Sequence, residues 1–365
     1  MLEGGKISAR QVILLVFSSR ITILIAFLPI LVAPPANQDV WLSVLVMGPT
    51  NLILAVPIYL LAKRFPHQTL YEYCQTIMGK AGLGVGILFV WFFLHTTTIS
   101  LSNFSRFLTT TIMPETPFLF FVITLTLVSA YAVHHGIEVL GRFSEFIAPF
   151  IMLTIITISL LLSQEMDFHE LTPILEKGIY PTLFGGLYAS SLMLETLALA
   201  MILPFLNDQR KAKKVILFST LLLVPFILII TLAVLMTFGP ELAKTFVYPP
   251  YSAVRFVHVG DFLERIDAIY IGIWILGMFI RVSFSYYLAV LGLSQLFHLK
   301  DYKPLVLPTG TIIVSLTTLI STSVVELKEF ISYSILTWYT LFFILLIPSL
   351  LLLTAKIRKK GERSR

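Results

Sequence analysis

Cysteine, charge and catalytic groupings are what this chain of 365 residues lacks. Its one cysteine, Cys74, has no second thiol with which to form an internal disulfide or share a metal. Charged residues make up 13% of the chain, about half the share that covers a soluble domain, which excludes a water-facing globule. No Ser/His/Asp, Cys/His or zinc-ligand spacing occurs, so the chain reads as a non-enzyme without a metal. His134-His135 has no further ligands beside it. Gly82-x-Gly84-x-Gly86 leads into an apolar helix without a preceding strand or a Lys-Ser/Thr pair; it reads as close helix packing rather than a nucleotide loop, and no cofactor is expected. Basic residues interleaved with aromatics are absent outside the apolar blocks, which argues against a nucleic-acid partner.

What the chain has is apolar length. It is 57% hydrophobic with a mean hydropathy of +0.91. The apolar residues fall in blocks of roughly 18–25, enough to cross a hydrocarbon core of ~30 Å. Such continuous runs exclude an outer-membrane barrel, whose strands are segments of about 10 alternating residues. The first block lacks a small-residue cleavage site before Pro34-Pro35 and reads as a retained span. Ten spans are predicted, near 12–33, 41–62, 83–107, 118–134, 145–163, 182–204, 215–238, 268–292, 305–324 and 333–355.

Basic residues set the orientation of such a bundle. With the N-terminus inside, the inner segments hold Lys6, Arg10, Lys63, Arg64, Lys80, Arg142, the run Arg210–Lys214, Lys300, Lys303 and the tail Lys356–Arg365. The outer side keeps only Arg106, Lys177, Lys244, Arg255, Arg265 and Lys328, so both termini are expected in the cytosol. The net charge of +6 is thus mainly a topology signal, with the basic run and tail beside anionic lipid headgroups. Two outer segments exceed simple connectors. Residues 164–181 carry Phe168, Leu171, Ile174 and Leu175 among acids, and residues 239–267 carry Leu242, Phe246, Phe262 and Leu263. Both read as short amphipathic helices along the membrane surface.

Three charges stand at one depth. Arg20 lies well inside the first span, Glu195 inside the sixth and Arg281 near the middle of the eighth. A lone charge at the bilayer centre costs at least ~2.5–3.5 kcal/mol, so each is expected to face a partner or a cavity. Pairing of Glu195 with one arginine is a purely structural account. Two positive charges against one negative leave a surplus, which either a ligand carboxylate or a polar, hydrated cavity would accommodate. Ser18-Ser19-Arg20-Ile21-Thr22 and Ser190-Ser191 are polar islands beside these charges, and Gly185-Gly186 lies further out in the sixth span. Broken helices at such depth expose backbone donors and acceptors to a ligand; small-residue packing is the alternative reading. Interruptions in spans one and six, five apart, are the pattern of a five-plus-five inverted repeat. His95 with Thr97, and Tyr188 and Trp274, are further residues that would line such a cavity, or simply pack. Asn103-Phe104-Ser105 matches a glycosylation sequon but falls in or beside a span.

The ordered segments Lys6-Ile7-Ser8-Ala9-Arg10-Gln11, Pro34-Pro35-Ala36-Asn37-Gln38-Asp39-Val40-Trp41, Arg64-Phe65-Pro66, Pro114-Glu115-Thr116-Pro117, Leu203-Pro204-Phe205-Leu206-Asn207 and Lys300-Asp301-Tyr302-Lys303-Pro304 run nearly end to end. With them the chain resembles the B subunit of bacterial spore germinant receptors, a branch of the amino acid–polyamine–organocation transporter superfamily. The resemblance implies an all-α integral membrane protein of ten transmembrane helices, in a five-plus-five inverted repeat with helices 1 and 6 broken. Its repeats would span about 8–164 and 180–356, in one transmembrane domain over 1–365 with a basic cytosolic tail over 356–365. Carried over by position, the ligand site comprises Ser18, Ser19, Arg20, Ile21, Thr22, Ser190, Ser191, Glu195 and Arg281. In cation-coupled relatives a sodium ion sits between helices one and eight, and the Arg281 guanidinium would take over its charge. Two departures stand out: the first span has no glycine at its expected break, and Leu194 stands where some relatives have glycine. The resemblance further implies a nutrient ligand such as an amino acid, an A-type membrane subunit and a C-type lipoprotein as partners, and the inner membrane of a spore. The alternative is an amino-acid transporter, proton-coupled or uncoupled.

Overall fold

The computed structural model describes residues 4–32, 34–256, 266–320, 326 and 329–361. Eight of its helices are long and apolar enough to cross a membrane, and a ninth crossing is a pair of shorter helices bent by 44°. The apolar helix Phe118–His134, 17 residues and about 26 Å long, supplies the tenth. In chain order the spans are Ala9–Phe27; Val40–Leu54 with Val56–Arg64; Lys80–Phe107; Phe118–His134; Ile137–Leu161; Ile179–Ser191 with Glu195–Ile202; Ala212–Leu221 with Leu223–Thr245; Ile266–Leu296; Val306–Ile320; and Tyr333–Leu341 with Ile347–Ile357.

Their packing reveals the repeat. The first span lies against the fifth and seventh, and the sixth lies against the tenth and second. The third lies against the ninth, and the eighth against the fourth. Each pair becomes its mate when every number is moved by five, while the third–eighth and fourth–ninth pairs map onto themselves. The two halves of five helices thus share much of their packing, although span eight also packs on spans one and five without a comparable counterpart at span three.

Local signals explain most helix ends. Ser8 and Gln11 form a reciprocal capping box at the start of the first span. Thr69 and Glu72 form another, opening a short helix, Leu70–Met78, between spans two and three. That helix was not among the predicted elements, although Thr-x-x-Glu before an apolar run is its signature. It presses on the third span, where a Cβ on Gly82 would fall 2.2 Å from the Cys74 carbonyl. Gly86 abuts Leu296 in the same way, whereas Gly84 faces open space. The glycine run is a packing surface.

The two breaks differ. In the sixth span the ladder tightens at Met193 and Thr196, whose N–H groups reach back three residues instead of four, to Ser190 and Met193. Ser190 and Ser191 return their hydroxyls to the carbonyls of Gly186 and Tyr188, a bonding pattern that bends helices. In the first span no break occurs at Ser18–Thr22, contrary to expectation. The helix continues to Phe27, with Thr22 Oγ1 donating to the Ser18 carbonyl at 2.5 Å. The interruption comes at Leu28, which is left-handed (φ 37°), and a 3-10 turn follows over Pro29–Val32. The physical reason is the absence of glycine at 18–22 together with Pro29, which pushes the residue before it out of the α conformation.

The two long segments expected on the outer side also divide. Residues 164–178 form short 3-10 turns, not a surface helix, because their backbone groups are bonded to neighbouring elements. Leu175 N donates to Asp39 Oδ1 (2.7 Å), Gln38 Nε2 to the Pro173 carbonyl (2.6 Å) and Asp167 N to the Met236 carbonyl (2.8 Å). In the second segment Pro249–Phe256 is a helix that buries Tyr251, Ala253 and Val254, as an amphipathic element should. Phe262 and Leu263 lie outside the described residues. The basic tail, as far as Gly361, folds back rather than lying free: Arg358 Nη1 donates to the Ile77 carbonyl (3.0 Å) and Arg64 Nε to the Lys360 carbonyl.

Candidate ligand site

The three charges inside the spans, Arg20, Glu195 and Arg281, meet. Glu195 is the first residue of the helix after the sixth-span break, where the helix dipole favours a carboxylate. Its Oε1 accepts from Ser19 Oγ at 2.8 Å and from Arg281 Nη1. The same Arg281 nitrogen also bonds the Ser19 carbonyl (2.7 Å), and Arg281 Nε donates to Ser100 Oγ (2.9 Å). Arg281 therefore bridges spans one, three, six and eight. Arg20 approaches Glu195 less closely, with Nε 3.9 Å from Oε2, and spends its Nη2 on Thr196 Oγ1 at 2.7 Å. Thr196 in turn accepts from Asn51 Nδ2 (3.1 Å), and Asn51 Oδ1 accepts from Thr220 (3.0 Å).

All three charged side chains are buried, with 6% exposure at most. One carboxylate against two guanidinium groups leaves one positive charge uncompensated inside the cluster. Arg20 Nε and Nη1, Glu195 Oε2 and Ser18 Oγ have no hydrogen-bond partner among the described residues. Each such buried group costs about 1–3 kcal/mol. The cavity touching Ser19, Thr96 and Glu195 is ≈ 10 Å³, about the size of one water molecule. The layer as it stands is closed, charged and incompletely satisfied.

The other predicted residues are placed as follows. Ile21 is fully buried apolar core. Thr22 is committed to helix contact: Trp274 Nε1 donates to its carbonyl at 3.0 Å, and Gly277 leaves room for its hydroxyl. Trp274 stacks on Phe104 and meets Phe107 edge-on. Ser190 also donates to the Met47 carbonyl (3.0 Å), tying spans six and two. Thr97 bonds within its own helix, to the Phe93 carbonyl. His95 Nδ1 lies 2.9 Å from the Tyr339 hydroxyl, with its ring between Trp91 and Phe330, so it belongs to an aromatic cluster on span ten. Tyr188 donates to the Ile331 carbonyl and lines a separate, larger pocket further out. Gly185 and Gly186 are packing glycines, since a Cβ on them would meet Pro34 O at 2.0 Å and Val46 Cγ1 at 2.3 Å.

Sequence reasoning missed Asn51, Ser100, Thr196 and Thr220, which form the outer bonds of the cluster. An asparagine or threonine inside an apolar run is a weak signal alone, because threonine bonds its own helix. Asn51 was the readable one: an amide seldom sits mid-span without a partner.

The comparisons with known proteins agree with this architecture. The profile of the family described as spore germination protein matches residues 6–325. Spore germination protein KB of Bacillus subtilis (strain 168) is 29% identical, the match covering 98% of this chain and 97% of that protein. Spore germination protein YndE of the same organism is 26% identical over 98% of this chain and 99% of that protein. Among solved structures the chain is similar to Mhp1, a nucleobase-cation-symport-1 family transporter, in a closed conformation with bromovinylhydantoin bound. The TM-score is 0.69 at 13% identity, covering 99% of this chain and 80% of that one, so the likeness is one of fold. The chain belongs to the spore germination protein family and is a multi-pass membrane protein with a transporter's fold.

Proposed function

We propose that this member of the spore germination protein family is the nutrient-sensing subunit of a germinant receptor, binding an amino acid or similar small nutrient at mid-membrane depth. The observation that carries the reading is the surplus buried positive charge. Arg20 keeps guanidinium N–H groups without partners one residue from Ser19 and beside the sixth-helix break. A ligand carboxylate would satisfy them, and its ammonium would compete for Glu195. Closing or opening the Arg20–Glu195–Arg281 layer would then shift the bundle between two packings, by as much as the ligand's affinity for the two differs. Partner subunits, by family an A-type membrane subunit and a C-type lipoprotein, would read that shift in the spore inner membrane. Both termini would face the cytosol.

Arg281 supports a sensor over an ion-coupled carrier. Its guanidinium holds a first-span carbonyl from the eighth span, the place at which coupled relatives bind a cation. The transporter-like fold keeps a permease reading in play. Paired binding and uptake of labelled amino acids in proteoliposomes, with and without a proton gradient, separates the two. Binding without accumulation supports the sensor, whereas saturable uptake abolished by Glu195→Gln supports the carrier.

A further inference from the structure

Outside the charged layer the same helices enclose a much larger space. A pocket of ≈ 290 Å³ lies between the outer end of span one, spans three and six, the stretch after span seven and the start of span ten. Its wall is largely apolar, with Phe27, Leu28, Tyr188, Phe246 and Tyr333 among the lining residues, and exposed Val32 and Val247 stand at its edge. The left-handed Leu28 is part of this wall, so the interruption of the first span opens here and not at the charges.

The polar atoms of the wall are nearly all committed. The Tyr188 hydroxyl is bound to the Ile331 carbonyl, Ser332 Oγ pairs with Ser334 Oγ, and the Lys244 ammonium is shared by the Ala36 carbonyl (3.0 Å) and Glu241 (2.7 Å). The exceptions are the Tyr333 hydroxyl, on a half-buried residue, and Asn103. Asn103 is fully buried, it lines the pocket, and neither Nδ2 nor Oδ1 has a hydrogen-bond partner among the described residues. It follows Ser100, which holds Arg281, by three residues, a helical rise of about 4.5 Å and just under one turn. The sequon that contains it is thus buried in the bundle, away from any glycan. A carboxamide offers two donors and one acceptor side by side, and a buried polar group of that kind is normally paired.

We infer that this outer pocket is a second binding site, distinct from the charged layer, for a small uncharged molecule with a carboxamide or similar adjacent donor and acceptor on an apolar body. A primary amide pairs with Asn103 through two hydrogen bonds, its N–H donating to Oδ1 and its carbonyl accepting from Nδ2. Benzene fits an apolar cavity of about 150 Å³, so this pocket has room for a ring and an amide group. Neutral ligands are favoured because the one cation in the described wall, Lys244, already has its carboxylate. The site goes beyond the proposed amino-acid reading and uses none of its charged residues.

The test uses the full chain in lipid nanodiscs, with benzamide as probe, benzoate as its charged counterpart and labelled amino acids in a parallel arm. Benzamide is expected to bind and benzoate to bind far more weakly. Asn103→Leu is expected to lower benzamide affinity about tenfold or more, the loss of two hydrogen bonds, while excess unlabelled amino acid leaves benzamide binding unchanged. Val247→Trp, which fills the exposed edge of the pocket, provides an independent variant should Asn103→Leu not fold. Displacement of benzamide by an amino acid, with no weakening by Asn103→Leu or Val247→Trp, would place the probe in the charged layer and overturn the inference. Equal binding of benzoate overturns the choice of a neutral class. Absence of benzamide binding overturns the site, and the amino-acid arm then reports separately on the proposed sensor.

Discussion

The charged layer and the outer pocket share spans one, three and six, one to two turns apart, and they are opposites. In the inner layer Arg20, Glu195 and Arg281 take each other and their neighbours as partners and leave ≈ 10 Å³. In the outer one an apolar wall leaves ≈ 290 Å³ around a single idle amide. Charge brings groups together strongly enough in a low dielectric to squeeze out space, whereas bulky apolar rings that meet edge-on do not fill every gap. The polar stripe of span three records both outcomes. Thr96 borders the small cavity, Ser100 holds Arg281, and Asn103 faces the large one. The comparison teaches that charge marks where these helices are tied together, and that an open pocket lies within two turns of it.

The largest way to break this contrast is Glu195→Gln. It leaves two buried arginines with no carboxylate, and removal of one partner from a buried pair costs about 3–5 kcal/mol. Thermal unfolding of the reconstituted chain is expected to show that loss; unchanged stability would mean the layer is not held by charge. Arg281→Met comes next, at about 3 kcal/mol, since it severs spans one, three and six from span eight. If Arg281 substitutes for a bound cation, ligand binding by that variant should require added sodium. Retained binding without sodium counts against the substitution.

Gly185→Ala tests the packing around both layers without touching charge. Its Cβ would meet a backbone carbonyl 2.0 Å away, and overpacking of this kind costs about 1–3 kcal/mol. Arg20→Gln is the sharpest small test. It deletes one hydrogen bond and also the uncompensated charge, so stability is expected to change by about 1 kcal/mol or less while ligand response falls. Arg106→Gln, whose guanidinium stacks on Phe118 away from the layer, should move stability by only about 0.5 kcal/mol and leave the response unchanged. Equal responses from Arg20→Gln, Glu195→Gln and Arg106→Gln, at equal protein levels, would remove the case for a midplane site.

Several of these features are legible in the residues alone. The fourth span is bounded at Phe118 and His134 by Pro117 before it and by Gly136 after it. The meeting of Glu195 with an arginine follows from the cost of isolated charge at mid-depth. The break of span six beside Ser190-Ser191 is also readable, because serine hydroxyls compete for helix carbonyls. The position of the break in span one is not. Polar side chains suggest 18–22, but Thr22 satisfies itself on its own helix and Pro29 decides the matter further on. Nor is Asn103 readable as more than a sequon, since whether an amide finds a partner depends on which helices face it.

The sequence by itself determined the membrane, the ten helices, the family and the presence of three charges inside spans. These follow from length, hydropathy and solvation cost, which act along the chain one segment at a time. Only the tertiary structure decided that Arg281, not Arg20, takes the short contact to Glu195, that almost no space remains at the charges, and that a pocket of ≈ 290 Å³ forms against Asn103. Those outcomes depend on distances of a few tenths of an ångström between helices remote in sequence, which no local pattern of residues encodes.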